Sequence, residues 1–240
     1  MYKFREAIFL PLALCITFLA TTASICAVSS TPSSSAGKTV TIAEPKPYRS
    51  TAIDKLGVNE SNKGLTPGDN VEEITIADMF GKPYEIRNAW QDKPALIIFY
   101  RGGWCPFCNM QVRELAVNYD KFQAAGVQPV LISVDEPDKT AMMSAKYNIP
   151  FPVLSDPSLI AHRAFNVVLD LDAATLEKYQ QYGINLQDWS GKKHNKIAVA
   201  SAFLVDQSGR ILVSHAPTDY RTRPSIEQLL ELIAQHKKIE

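Results

Sequence analysis

Residues 95–108 read ALIIFYRGGWCPFC, and they contain the strongest indication of the fold. Its first six residues form an apolar run without alternating polar positions. A short, unbroken apolar run of this kind is typical of a strand that is buried on both faces of a sheet. Two glycines and a CxxC motif, Cys105 to Cys108, follow directly. We therefore expect a central strand that leads through a tight loop into a pair of thiols.

The residues around and after this motif have helical periodicity. Five apolar side chains recur at near-helical spacing: Phe107, Val112, Leu115, Tyr119 and Phe122. This spacing predicts a helix from about Pro106 to about Ala125, since proline suits the first helical turn and Gly126 ends the pattern. Cys105 then lies at the helix N-terminus and Cys108 lies one turn inside the helix.

A dithiol in this position is suited to redox chemistry. Unpaired N–H groups and the positive end of the helix dipole favour a thiolate, and the two-residue spacer lets the sulfurs join in a reversible disulfide. We expect Trp104 to pack beside an exposed Cys105 sulfur and to limit access to it. Arg101 is a candidate for steadying a thiolate. The following two glycines permit the sharp loop on conformational grounds alone.

The remaining segments predict an α/β domain with a hairpin at each end. The predicted elements are a hairpin around 78–83, a strand at 127–134, a helix at 138–147, a strand at 151–154, a helix at 158–166, a hairpin around 206–209 and a last helix. Ser225 and Gln228 form a capping box at the start of this last helix. Residues 167–198 are polar and poorly periodic, so we interpret them as an insertion before the last hairpin, with room for a short helix. The order resembles a thioredoxin-like fold, in which helices flank a central mixed sheet, with an added N-terminal hairpin.

Composition excludes several classes of function. Twenty-five basic residues balance 25 acidic ones without a long block of like charge, so a nucleic-acid partner is not expected. Cys15 and Cys26 lie within the first 27 residues, which leaves Cys105 and Cys108 for the rest of the chain. No second cysteine pair or closely spaced histidine pair accompanies them in the sequence, so no metal site is predicted.

The first 27 residues have the pattern of an export signal. Lys3 and Arg5 precede an uncharged apolar run, small residues follow, and residues 29–37 are rich in Ser, Thr, Pro and Gly. We expect cleavage after Ala27 and a periplasmic or extracellular protein, with residues 28–64 as a flexible linker and N-terminal extension and residues 65–240 as the domain. Two alternatives remain: an uncut leader that tethers the chain to a membrane, and a lipid on Cys26.

The segments FYRGGWCPFC at 99–108 and PFPVLSD at 150–156 resemble the AhpC/TSA peroxiredoxin-like family. The resemblance extends from about Leu65 to the last helix. It places Cys108 on the peroxide-reacting cysteine and Cys105 on a family threonine. Arg101 stands where the family has a proline. The arginine that many members carry before a late strand would fall at Ala200, so no arginine is expected from that position beside Cys108.

The resemblance implies a thiol-dependent antioxidant oxidoreductase. Cys108 would reduce hydrogen peroxide or an organic hydroperoxide and become a sulfenic acid, and Cys105 would then form the disulfide. A thioredoxin-like donor would restore the dithiol, and no cofactor is implied. Two alternatives stay open: thiol–disulfide exchange on exported proteins with Cys105 as the attacking thiolate, and a redox-inactive binding module.

Overall fold

The structure is a computed structural model, and it describes residues 49–237. The strands are β1 (Arg49–Ser50), β2 (Thr75–Asp78), β3 (Pro83–Glu85), β4 (Ala95–Phe99), β5 (Gln128–Ser133), β6 (Val153–Ser155), β7 (Val168–Asp170), β8 (Lys196–Ala198), β9 (Ser201–Val205), β10 (Ile211–His215) and β11 (Thr222–Arg223). The α-helices are α1 (Pro106–Val117), α2 (Tyr119–Ala124), α3 (Pro137–Tyr147), α4 (Ile160–Ala164), α5 (Ala173–Gln181), α6 (Leu186–Ser190) and α7 (Ile226–Lys237). Short 3₁₀ helices occupy residues 53–55 and 86–89.

The largest sheet has seven strands in the order β10-β9-β4-β5-β6-β2-β3. Strands β4, β5 and β6 run parallel, and the other neighbours pair antiparallel. This mixed sheet, with a hairpin at each edge, confirms the fold class that the sequence predicts. Strand β4 lies near its centre, between β9 and β5.

Strand β4 is buried on both faces, as its unbroken apolar run predicts. Ile97 and Phe99 belong to one core cluster, whereas Leu96 and Ile98 belong to the cluster on the opposite face. Alternate side chains of a strand point to opposite faces, so one strand contributes to both cores. Cys105 and Cys108 lie within the second cluster.

The predicted helix from Pro106 to Ala125 divides into α1 and α2 at Asn118. The carbonyl of Glu114 accepts a hydrogen bond from the Asn118 backbone N–H at 3.0 Å and another from the Asn118 side-chain amide at 2.9 Å. Local side-chain bonds of this kind compete with regular helix geometry. The N-terminal bound at Pro106 agrees with the prediction.

Residues 167–198 are more regular than their sequence indicates. They form the antiparallel β7–β8 pair, with α5 and α6 between its strands. Their apolar side chains pack into a small cluster with Trp104, Val134 and Leu159 from the main domain. The insertion therefore owes its order to tertiary packing, which periodicity alone does not reveal.

Part of the predicted linker is ordered against the domain. Strand β1 pairs in parallel with β11, and Asn59 forms a bridge to Ala216. The predicted leader at 1–27 and linker residues 28–48 lie outside the described residues. Within 49–237, no helix has the length and hydropathy needed to span a membrane.

Candidate active site

The CxxC motif lies where the sequence places it, between a central strand and a helix. Cys105 is the N-cap residue of α1, Pro106 is its first residue and Cys108 lies one turn inside. Both cysteines are free thiols, with exposed fractions of 1% for Cys105 and 0% for Cys108. The expectation of an exposed Cys105 sulfur is therefore wrong, because the surrounding aromatic side chains and the core cluster cover it.

Cys108 is surrounded by hydrogen-bond donors. Its Sγ accepts from the Arg101 backbone N–H at 3.4 Å and from Arg223 Nη2 at 3.2 Å. The Cys105 thiol also donates to Cys108. Donors to a sulfur stabilise its anionic form, so this environment suits a thiolate.

Arg223 is a site residue that the sequence analysis missed. Its side chain is buried, Nη1 donates to Gln111 Oε1 at 2.6 Å, and Nε donates to the Tyr220 carbonyl at 2.8 Å. Position 200 is an alanine and supplies no arginine, as the sequence indicates, but Arg223 of β11 lies beside Cys108 instead. Strand β11 is only two residues long, so Arg223 has no periodic signal in the sequence.

The two thiols are electrostatically unequal. Burial alone would raise the pKa of Cys108, but the Cys105 hydrogen bond, the Arg223 and Arg101 charges and the Arg101 N–H outweigh it and lower its pKa to about 5. The pKa of Cys105 is raised, first by its hydrogen bond to Cys108 and then by burial. Cys108 is therefore a thiolate at neutral pH, and Cys105 holds the shared proton.

Arg101 lies among aromatic rings at this site. Its guanidinium carbon is 3.7 Å from the ring centroid of Tyr220 and 5.1 Å from that of Trp104, and Nη2 donates to the Tyr179 hydroxyl. The side chain is buried and its charge lowers the pKa of both thiols. This position agrees with its predicted role near a thiolate, although the main-chain N–H makes the direct contact.

A cavity of ≈ 540 Å³ lies beside Gly103, and a larger one of ≈ 750 Å³ opens onto Cys105. The larger cavity lies between the CxxC segment and the insertion. Its walls include Trp104, Phe107 and Tyr220 on one side and Leu171, Tyr179 and Ile184 on the other. Cys108 is absent from its lining, so the cavity leads to the Cys105 side of the pair.

Within the described part of the chain, no three His, Cys, Asp or Glu side chains are grouped to hold a metal ion.

Known proteins resemble this chain over most of the domain. Residues 67–214 match the family model described as the AhpC/TSA family. A putative peroxiredoxin of Mycobacterium tuberculosis strain H37Rv is 31% identical over 150 residues, which are 62% of this chain and 84% of that protein. Peroxiredoxin Bcp of Escherichia coli K12 is 26% identical over 172 residues, which are 72% of this chain and 97% of that protein.

Solved structures share the fold at lower identity. The crystal structure of peroxidoxin BcpB from Mycobacterium tuberculosis has a TM-score of 0.57 and 17% identity, covering 75% of this chain and 99% of that one. Reduced Prx3 of Vibrio vulnificus in complex with H₂O₂ has a TM-score of 0.57 and 13% identity, covering 70% and 99%. These similarities confirm the predicted thioredoxin-like fold.

Proposed function

This chain belongs to the AhpC/TSA family, and we propose that it is a peroxiredoxin-type peroxidase whose redox centre is the Cys105/Cys108 pair. The family resemblance of residues 99–108 is confirmed, and the class of activity is that of a thiol-dependent oxidoreductase. The observation that carries the assignment of Cys108 is its contact with Arg223, 3.2 Å from Nη2 to Sγ. A cation beside a buried sulfur maintains the reactive thiolate.

The first step is attack of the Cys108 thiolate on the peroxide. Its sulfur bonds to one oxygen, the O–O bond breaks, and the other oxygen leaves as hydroxide or alkoxide and takes up a proton. The products are a Cys108 sulfenic acid and water or an alcohol. Arg223 supports this step by favouring the thiolate before the attack.

The second step joins the two sulfurs. Cys105 loses its proton and attacks the Cys108 sulfur, the S–O bond breaks, and the oxygen leaves as water. The helical turn between N-cap Cys105 and Cys108 keeps the two side chains close together. Disulfide formation protects Cys108 from further oxidation.

A thioredoxin-like dithiol then restores the pair. The cavity reaches Cys105, so the donor thiolate would attack that sulfur and form a mixed disulfide there. Cys108 leaves as the thiolate, and its lowered pKa makes it the better leaving group. The donor's second thiol then releases Cys105 and closes the cycle.

The alternatives have less support. Exchange on exported proteins would use Cys105 as the first nucleophile, but its raised pKa keeps it protonated. A redox-inactive binding module does not account for the lowered pKa of Cys108. Relatives named as peroxiredoxins favour peroxide as the oxidant.

Export is part of the proposal. Residues 1–27 support it through their basic start, apolar run and small residues before the Ser-rich segment. Fractionation of cells that produce the full chain, with N-terminal sequencing, tests it. We expect an exported protein that begins at Val28; a cytoplasmic protein that retains its leader would contradict export.

The catalytic assignment is tested in the full chain with Cys15→Ser and Cys26→Ser, which leaves only the pair under study. We expect this parent to consume hydrogen peroxide with dithiothreitol or a thioredoxin as donor. Cys108→Ser should reduce turnover to the uncatalysed background. Turnover in Cys108→Ser equal to that of the parent would overturn the assignment.

A further inference from the structure

The cavity beside Cys105 has the size and the walls of a site for a small apolar molecule. Its volume is ≈ 750 Å³, within the usual range for small-ligand sites, and such sites are mostly lined by aromatic and aliphatic side chains. Trp104 and Phe107 line one side, and Leu171 and Ile184 of the insertion line the other. Cys105 contributes to the lining and is otherwise covered, with an exposed fraction of 1%. A small molecule therefore enters more easily than a folded protein domain does.

Arg101 adds a buried positive charge to the wall of this cavity. It belongs to the catalytic loop, residues 100–104, between β4 and α1. Its Nη2 donates to the Tyr179 hydroxyl, its Nε has no hydrogen-bond partner, and it forms no ion pair within the described part of the chain. The Cys108 sulfur contacts the Arg223 guanidinium and not that of Arg101. A buried cation without an anionic partner is costly, so Arg101 favours a ligand that brings a negative charge.

The other charges on the cavity wall leave room for an anion. Lys178 is exposed, lines the cavity and forms no ion pair within residues 49–237. The two carboxylates of the lining already have partners. Asp170 pairs with Lys196, and Asp172 Oδ1 accepts from the Thr175 N–H at 2.7 Å as the N-cap of α5. The wall therefore combines an apolar body with two cations that lack a counter-ion.

We propose that this cavity binds a small dithiol with an apolar body and a terminal carboxylate, which reduces the Cys105–Cys108 disulfide beside a thioredoxin-like donor. The carboxylate binds Arg101, the apolar body lies between the two walls, and one thiol reaches Cys105. The inference rests on the proposed function and names a donor for its last step. A dithiol suits an enclosed site, because its second thiol is already in place when the mixed disulfide has formed.

The exchange is balanced without a further reactant. One donor thiol loses its proton and attacks Cys105 Sγ, the Cys105–Cys108 bond breaks, and Cys108 leaves as the thiolate. The second donor thiol then attacks the donor sulfur of the mixed disulfide. Cys105 leaves and takes up a proton. The donor is oxidised by two electrons to a cyclic disulfide, and the cysteine pair is reduced by the same two electrons.

The test compares dihydrolipoate with dihydrolipoamide, which has the same thiols and aliphatic chain but no charge. The full chain with Cys15→Ser and Cys26→Ser is oxidised with diamide, so the result does not depend on a peroxide reaction. Quenched-flow mixing at pH 7, followed by alkylation and mass spectrometry, gives the rate of disulfide reduction at each donor concentration. Arg101→Met removes the charge and keeps the backbone N–H. Lys193→Met is the matched control, since Lys193 is exposed in the insertion and does not line the cavity.

We expect the rate to saturate with dihydrolipoate and its second-order rate constant to exceed that of dihydrolipoamide at least ~10-fold, as one charge-assisted hydrogen bond would give. Arg101→Met should make the two donors nearly equal, and Lys193→Met should keep the parent ratio. This ratio cancels any effect of Arg101 on the cysteines, because both donors attack the same disulfide. Equal rates for the two donors in the parent, or a parent ratio retained in Arg101→Met, would overturn the proposal.

A second measurement needs only the parent and so does not depend on the folding of Arg101→Met. Octanoate has an aliphatic chain and a carboxylate without thiols, and octanamide lacks the charge. Octanoate should compete with dihydrolipoate and slow the reduction, and octanamide should inhibit at least ~10-fold more weakly. Equal inhibition by the two, or none by octanoate, would overturn the proposal. A reduced parent that does not react with hydrogen peroxide would instead overturn the proposed function, whatever the donor rates are.

Discussion

Arg223 Nη2 lies 3.2 Å from Cys108 Sγ, although the two residues are 115 positions apart in the chain. A two-residue strand holds the arginine, and its guanidinium also binds Gln111, one helical turn after Cys108. The arginine therefore binds both the reactive sulfur and the helix that carries it. The contact between Arg223 and Cys108 explains how a sulfur that is fully buried can carry the negative charge of a thiolate.

Arg223→Met should raise the pKa of Cys108 and slow its reaction with peroxide at pH 7. The parent thiolate is lost only as pH falls through about 5, so its alkylation by iodoacetamide should be nearly flat above pH 6. In the variant the midpoint should move upward, with a roughly 10-fold or larger loss of rate at pH 7. Alkylation rates between pH 4 and 9 measure the shift.

Arg221→Met is the matched control for that experiment, since Arg221 is exposed and pairs with Asp219. Arg221→Met should leave the pH midpoint of Cys108 alkylation unchanged. If Arg223→Met and Arg221→Met show the same alkylation midpoint, Arg223 does not lower the pKa of Cys108.

Cys105→Ala should separate the two oxidation steps. The variant lacks the thiol that donates to Cys108, so the pKa of Cys108 should rise. It also lacks the partner for a disulfide, so sulfenic acid should accumulate and then oxidise further. Mass spectrometry of a dimedone adduct on Cys108 checks this, and the absence of any adduct would contradict the assigned roles.

Gly102→Ala should destabilise the protein and impair the site. Gly102 has φ +141°, and an added Cβ would meet the partly buried Trp104 and the buried Asp135. We expect a loss of about 3 kcal/mol or more in the free energy of unfolding, because strained backbone and a steric clash act together. Urea denaturation measures it.

Gly183→Ala provides the comparison for Gly102→Ala. Gly183 also has positive φ, at +71°, but an added Cβ would meet nothing within 4 Å. We expect a cost of about 1 kcal/mol from the backbone conformation alone. Equal losses in the two variants would contradict a clash at the catalytic loop.

The N-terminal strand should also affect the site, through Arg223. The Thr51 N–H donates to the Arg223 carbonyl at 2.9 Å, and the Thr51 carbonyl accepts from Gln228 at 2.7 Å. Thr51→Pro removes this donor and should cost about 1 kcal/mol or more of stability. It should also slow the peroxide reaction, since the backbone that holds Arg223 is less well fixed.

Ile53→Pro tests whether the effect is specific to that bond. Ile53 is exposed and begins the 3₁₀ helix at 53–55, where proline is tolerated. Its peroxide rate should match that of the parent. If Thr51→Pro reacts as fast as Ile53→Pro, the strand has no role at the site.

Burial of Asp135 predicts a pH-dependent stability. The pKa of Asp135 is about 7 in the folded protein, above its ordinary value of 3.8, so the folded state holds this proton more tightly than the unfolded state does. Its contribution to stability is complete below pH 4 and is lost as pH rises towards 7 and beyond. The loss is on the order of 4 kcal/mol. Asp135→Asn should lack this decline in urea denaturation between pH 4 and 8, and an identical decline in both proteins would contradict it.

Local patterns in the sequence are sufficient to predict the frame of the site. The apolar run of β4, proline at the start of α1 and the capping box of α7 are local features, and all three agree with the structure. Each of these features depends only on residues that are close together in the chain, so it can be recognised in the sequence. The two cysteines could be placed at the helix start for the same reason.

The electrostatics of the site depend on contacts that the sequence does not display. Arg223 reaches Cys108 from a short strand near the C-terminus, and Asp135 reaches the catalytic loop from the end of β5. The order of residues 167–198 likewise comes from packing against Trp104 and its neighbours. Because these contacts join residues that are far apart in the chain, the local sequence around Arg223, Asp135 and residues 167–198 does not predict them.

The most direct test of the whole account is a stoichiometric titration of the reduced full chain with Cys15→Ser and Cys26→Ser. Hydrogen peroxide is added in known amounts, free thiols are counted and the oxidised peptides are mapped by mass spectrometry. We expect rapid loss of two thiols per peroxide and a Cys105–Cys108 disulfide as the product. Thiols that resist peroxide but exchange readily with a protein disulfide would contradict the account and indicate a thiol–disulfide oxidoreductase on this fold.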